Sequence, residues 1–200
     1  MRRVSRCLSV HFSSKEKCMF DRKKQAITAY HEAGHAVLAM ANGFAVTEIS
    51  NDLDNPGQGY VRYLEPITPS ITDRMRLVVV CAAGSAADFM HWDRERKRLG
   101  IEGNDELCEG NLKDQRDSAA HLLEIGDSGR FWDYVGVAMY LMKKPEIWHF
   151  IEQFGEIMQT TPLINGVDLL RNAFEVVPKI DENEIVFLRE QIVVRQPRFT

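Results

Sequence analysis

The segment that most restricts what this chain can be is "DRKKQAITAYHEAGHAVLAMANG" (21–43). Asp21 is a residue type that caps helix N-termini, and Gly43 suits the left-handed position just past a helix end. Between them Ile27, Tyr30, Val37, Leu38 and Ala41 recur at helical spacing and form a broad apolar stripe. Gly34 lies inside this helix, where glycine costs about 1 kcal/mol relative to alanine. It calls for an explanation, such as another backbone or a metal site pressing close.

The same helix carries the pentad His31-Glu32-Ala33-Gly34-His35. Residues four apart share a helix face, so His31 and His35 can aim two imidazole nitrogens at one ion. Glu32 is rotated by about 100° around the axis and flanks that ion without binding it. This is the mechanical content of H-E-x-x-H: zinc holds and acidifies a water, and the glutamate acts as its base. The plainer alternative is a pair of structural or solvated histidines. The chain has only six histidines in 200 residues, so chance rarely produces the spacing.

A catalytic zinc takes three protein ligands. The position six after His35 is Ala41, which excludes the extended three-histidine form, and no E-x-x-x-D helix is evident. His11, His91, His121 and His149 are scattered and read as structural or solvated. A downstream carboxylate is the better third ligand, and acids are frequent in 102–117.

The rest of the chain reads as one mainly α (α+β) domain. "FAVTEIS" (44–50) and "YVRYLE" (60–65) read as strands joined by the turn-forming "NDLDNPGQG", and they pair as a small sheet beside the histidine helix. Ser70 or Thr72 opens a helix over about 73–92, and the polar, Gly-punctuated 93–111 reads as a surface loop. Helices follow at about 112–125, 129–142, 145–160 and 166–174, with Pro145 and Pro162 marking boundaries. "EIVFLREQIVV" in the tail is compatible with a strand or a helix. Residues 1–20 read as a disordered leader, 21–174 as the domain, and 175–200 as a C-terminal extension.

A net charge of −4 and a pI near 5.9 give no reason to expect nucleic acid as a partner. Four scattered cysteines without a C-x-x-C pair argue against a disulfide framework and fit a reducing compartment, so the expected location is the cytoplasm. The acid-free, Arg- and Ser-rich start "MRRVSRCLSVHFSSK" leaves organelle targeting as the alternative. No apolar run is long enough to span a bilayer.

"AYHEAGHAVLA" (29–39) resembles the peptidase domain of the FtsH-type ATP-dependent zinc metalloproteases. In order along the chain, "VTEIS…GQGYVRYLEP" is similar to that family's paired strands. "LVVVCAAGSAADFM" resembles its gly-gly-arg-x-ala-glu helix, with Ala83, Gly84, Ser85 and Asp88 at the Gly, Gly, Arg and Glu places. "TPLINGVDLL" resembles its closing segment. The resemblance covers roughly 24–174 and is specific only around the pentad.

It implies a helical zinc metallopeptidase domain with a small β-sheet beside the pentad helix and one Zn2+ per chain. The ligands would be His31, His35 and an aspartate opening a later helix, with Glu32 as base. An ungapped match puts Asn111 at the aspartate's place, and asparagine is a poor zinc ligand. A gap of three residues puts Asp114 there, and Asp117 is the next choice. The expected function is a metalloendopeptidase acting on unfolded or flexible polypeptides. An extended substrate would add to strand 59–65 by main-chain pairing.

The chain departs from the family in carrying neither a G-x-x-x-x-G-K-S/T loop nor a membrane span. The expected activity is therefore ATP-independent in itself, or served by a separate unfoldase, and an oligomer stays open. Two other readings stay open as well. One is a catalytically degenerate relative acting as a binding or regulatory module; the other is a zinc that only staples helices through four ligands.

Overall fold

The computed structural model describes residues 14–55, 57–99 and 111–194. Helix α1 (Ser14–Ala41) is the axis of the molecule. It begins seven residues before Asp21, so residues 14–20, read as leader, are helical; residues 1–13 lie outside the described part. The run from Ser14 to Ala33 contains neither proline nor glycine and is rich in good helix formers, which lets the helix propagate past Asp21. Gly43, at φ +91°, ends α1: Phe44 N–H donates to the Ala39 carbonyl and Gly43 N–H to the Met40 carbonyl, the paired bonds of a Schellman motif.

From Thr28 to Asn42 every residue of this helix segment is buried, not only the expected apolar stripe. A helix enclosed on all sides needs partners on all sides. Helix α2 (Ile71–Leu99) and helix α5 (Pro145–Met158) pack along it, and a small sheet covers a third face. Gly34 explains itself here. A Cβ at that position would meet the Ala83 carbonyl oxygen and the Ala87 Cβ at 2.7 Å, so its absence lets α2 approach α1 backbone to backbone.

Strand β1 (Val46–Asn51) is central in the sheet. It pairs antiparallel with β2 (Gly59–Tyr63) on one side and with the two-residue β3 (Leu163–Ile164) on the other, in the order β2-β1-β3. The first pair is the expected hairpin; β3 is an addition, too short to carry a periodic signal. Among the described strands β2 is therefore an edge.

Ser70 opens α2 with reciprocal bonds: its backbone N–H donates to Asp73 Oδ2 at 2.9 Å, and Asp73 N–H donates to Ser70 Oγ at 3.1 Å. The helix then runs to Leu99, which corrects the expected loop at 93–99. Ion pairs Asp93–Lys97 at 2.5 Å and Glu95–Arg98 at 2.8 Å, one helical turn apart, support a stretch with no apolar face to reveal its period. Residues 100–110 of that expected loop lie outside the described part.

Helices α3 (Asn111–Glu124), α4 (Phe131–Met142) and α5 fall close to the expected spans, and Pro145 stands at the start of α5, where its missing N–H costs nothing. Helix α6 (Val167–Val176) precedes α7 (Glu182–Arg189), so the tail is helical and closes with a π-helical turn at Glu190–Val194. Val177, Ile180, Ile185 and Leu188 are buried, so this extension packs into the same core. Among the described residues no helix is long and apolar enough to cross a membrane.

Candidate metal centre

His31 and His35 project from the buried middle of α1, and Asp114 enters from the first turn of α3. The three candidate ligand atoms form a nearly equilateral triangle. The two histidine Nε2 atoms are 3.1 Å apart, and Asp114 Oδ2 lies 3.2 Å from His31 Nε2 and 3.3 Å from His35 Nε2. Ligands at about 2.0–2.1 Å from a tetrahedral zinc are separated by about 3.3 Å, so the triangle has the size of one face of that tetrahedron. Asp117, one turn further along α3, does not join this group: its half-exposed side chain meets Lys113 at 3.3 Å. Asn111 begins α3.

The outer ring nitrogens are engaged in a way that fixes the inner ones. His35 Nδ1 donates to the Val80 carbonyl at 2.7 Å, and His31 Nδ1 meets the buried Asp88 carboxylate at 2.8 Å. With Nδ1 protonated on both rings, each neutral imidazole presents an Nε2 lone pair to the centre. Two lone pairs and a carboxylate oxygen thus converge at hydrogen-bond distance with no proton of their own. Such a cluster of acceptors is unfavourable unless a cation or an added proton occupies its middle.

The local electrostatics point the same way. Burial opposes charge on His31, but the Asp88 and Asp114 carboxylates outweigh it and raise the affinity of the ring for a proton well above the ordinary histidine value. His35 is raised by Asp114 against the same burial penalty. Burial also works against Asp114, yet His35 and His31 hold its carboxyl far below the usual range. This is a pocket built around positive charge.

Asp88 and Val80 were not identifiable as orienting groups from the sequence, although Asp88 stood at the family's glutamate place. Both lie on α2, as does Gly84 between them. A Cβ on Gly84 would run into Nε2 of both His31 and His35, so a glycine is what lets α2 pass beneath the two rings. Its signal was present in "CAAGSAAD", but its purpose depends on how α1 and α2 cross.

Glu32 is also buried, and burial raises its pKa above the ordinary glutamate value. Its side chain lies against β2: a Cβ at Gly59 would sit 2.7 Å from Glu32 Cγ and Oε1. Glu32, the triad and the whole length of β2 line one cleft of about 760 Å³, closed on the far side by Lys113, Asp114 and Asp117 of α3.

The remaining histidines are elsewhere. His91 stacks on Tyr30 with ring centroids 3.7 Å apart, His149 is exposed on α5, and His121 sits on α3 with a buried Nδ1 that has no partner among the described residues. His11 lies outside the described residues. Among the described residues no fourth His, Cys, Asp or Glu joins the group, so the candidate donor set is two imidazoles and one carboxylate. No protein-family model matches the chain, and no curated protein matches it.

Proposed function

We propose that this protein is a zinc-dependent metalloendopeptidase that hydrolyses peptide bonds in unfolded or flexible polypeptides. The observation that carries the reading is the convergence of three metal-ligating atoms of the right kind, His31 Nε2, His35 Nε2 and Asp114 Oδ2, beside a buried glutamate in an open cleft. The donor set suits zinc: two borderline nitrogens and one carboxylate at the right mutual spacing, with both imidazoles oriented by further hydrogen bonds. A zinc ion held there supplies Lewis acidity, polarising a carbonyl and lowering the pKa of a ligated water to about 7.

The protein's own groups account for the rest. Glu32 takes the proton of the attacking water and returns it to the amide nitrogen as the C–N bond breaks, so the carboxylate is regenerated. Asp88 and the Val80 carbonyl keep both rings in the tautomer that faces inward. Gly59 leaves room for Glu32 to sit between α1 and the strand. β2 offers main-chain groups along the cleft, and an extended peptide pairing with it would be laid past the triad. The requirement for an extended chain is why folded substrates are poor candidates.

Kinship with the FtsH-type peptidase domain is part of the proposal. It is supported by the order of the pentad helix, hairpin, small-residue helix and aspartate helix. Glu32→Gln tests the mechanism. The variant should keep its zinc, measured by elemental analysis, and its thermal stability, while cleavage of fluorescently labelled unfolded casein falls by about 10²–10⁴. Undiminished cleavage by that variant would sink the mechanism. A wild-type protein purified without chelators and free of zinc would favour the binding-module reading instead.

A further inference from the structure

Hydrolysis of an amide places negative charge on the carbonyl oxygen as the carbon becomes tetrahedral, and enzymes meet that charge with a preplaced donor. Most side-chain donors along the cleft are already engaged. Thr47 donates to the Arg62 carbonyl, Tyr60 donates to Glu48 at 2.5 Å, Arg62 pairs with Glu48, and Lys113 pairs with Asp117.

Tyr63 differs from all of these. It ends β2 on the face that looks toward the helices, as the alternation along the strand shows: Gly59, Val61 and Tyr63 are half-buried, while Tyr60 and Arg62 are exposed. Its ring is steadied against Phe44, with centroids 6.0 Å apart, and it lines the cleft together with the triad. Among the described residues its hydroxyl has no hydrogen-bond partner. The hydroxyl faces a cleft rather than a protein acceptor, so a substrate carbonyl can take it in exchange for water, with no internal bond to break. Burial, reinforced by nearby Glu65, Asp117 and Asp114, pushes the phenol's pKa up, so it remains a donor throughout the neutral range.

The position relative to the base is also informative. Glu32 rests on Gly59 at one end of β2, and Tyr63 stands four residues away, about 13 Å along the strand, within electrostatic reach of Asp114. Base and donor thus line the same cleft as the triad, at the two ends of one strand. Resting on the metallopeptidase reading above, we propose that Tyr63 is a catalytic residue whose hydroxyl donates a hydrogen bond to the scissile carbonyl oxygen in the tetrahedral transition state. Tyr63 keeps its proton throughout; the proton in transit belongs to water and is carried by Glu32.

Tyr63→Phe keeps the ring and its packing and removes only the hydroxyl. The expected result on the zinc-loaded protein is a fall in kcat of about 10²-fold with KM nearly unchanged. Zinc content and thermal midpoint should equal those of the wild type. A second readout does not depend on turnover. A phosphinic analogue of the best-cleaved casein peptide, which mimics the tetrahedral state, should bind Tyr63→Phe about 10²-fold more weakly by calorimetry. The uncleaved peptide itself, measured in the Glu32→Gln background, should bind both forms alike. If kcat and phosphinate affinity each change by less than about threefold, this inference is overturned while the hydrolase reading stands. Equal weakening of phosphinate and uncleaved peptide overturns it too, because Tyr63 would then serve ground-state binding. A zinc-loaded wild type that cleaves no peptide overturns the hydrolase reading, and this inference with it.

Discussion

Gly84→Ala adds a single methyl group, and the structure says what that methyl meets. The new Cβ would press on Nε2 of both His31 and His35, far inside the 3.4 Å of ordinary contact. Neither ring can retreat cheaply, since His31 is held by Asp88 at 2.8 Å and His35 by Val80 at 2.7 Å. Overpacking of this kind costs about 1–3 kcal/mol, and the loss of two anchoring hydrogen bonds places it at the upper end. Against this, replacing glycine by alanine inside a helix gains about 1 kcal/mol when space is free. The metal-free variant should therefore be less stable than the metal-free wild type by about 2 kcal/mol, a drop of about 4–8 °C in Tm.

The effect on zinc should be larger, because the displaced atoms are the ligands themselves. Affinity should fall by at least about 100-fold, or about 2.7 kcal/mol. Competition against a chromophoric chelator reads the affinity, and thermal unfolding in excess EDTA reads the stability. A variant that binds zinc within about threefold of wild type and melts higher without metal would refute the reasoning, for the methyl would then have found open space.

Asp88→Asn removes the charge that orients His31 and also permits the wrong ring tautomer. Zinc affinity should weaken by about 10–100-fold in the same chelator assay, with little change in fold by circular dichroism. Away from the metal centre, the Asp127 carboxylate accepts hydrogen bonds from Arg189 Nε at 2.5 Å, Tyr134 Oη at 2.8 Å and Gly129 N–H at 2.7 Å, tying α7 to α4. Burial alone would raise its pKa, but Arg189 and these donors hold it below the ordinary aspartate value. A depressed folded-state pKa stabilises the fold above the unfolded value, about 3.9, and the contribution is lost as pH falls through the folded value. Asp127→Asn should thus cost about 1.5–3 kcal/mol in urea unfolding at pH 7, and the gap to wild type should narrow below about pH 4.

Much of this molecule is local in origin and therefore legible in the chain. The i, i+4 spacing puts His31 and His35 on one face whatever surrounds the helix, and Gly43 ends that helix by its own backbone freedom. The hairpin of β1 and β2 follows from alternation around a turn-rich segment. Polar helices are less legible. Residues 93–99 look like loop because ion pairs, rather than an apolar stripe, support them, and β3 is visible only once β1 is there to pair with it.

The third corner of the candidate metal site belongs to the tertiary structure. Asp114 and Asp117 lie on successive turns of one helix, only three positions apart, yet one faces the histidines and the other faces Lys113. That choice is made by how α3 rotates against α2, across a separation of 83 residues from His31. The same holds for Asp88 and Gly84, whose roles exist only where α2 crosses α1 at backbone contact. A helix's own periodicity dictates which residues share a face; which face meets the third side chain is decided by packing, and packing is a property of the whole chain.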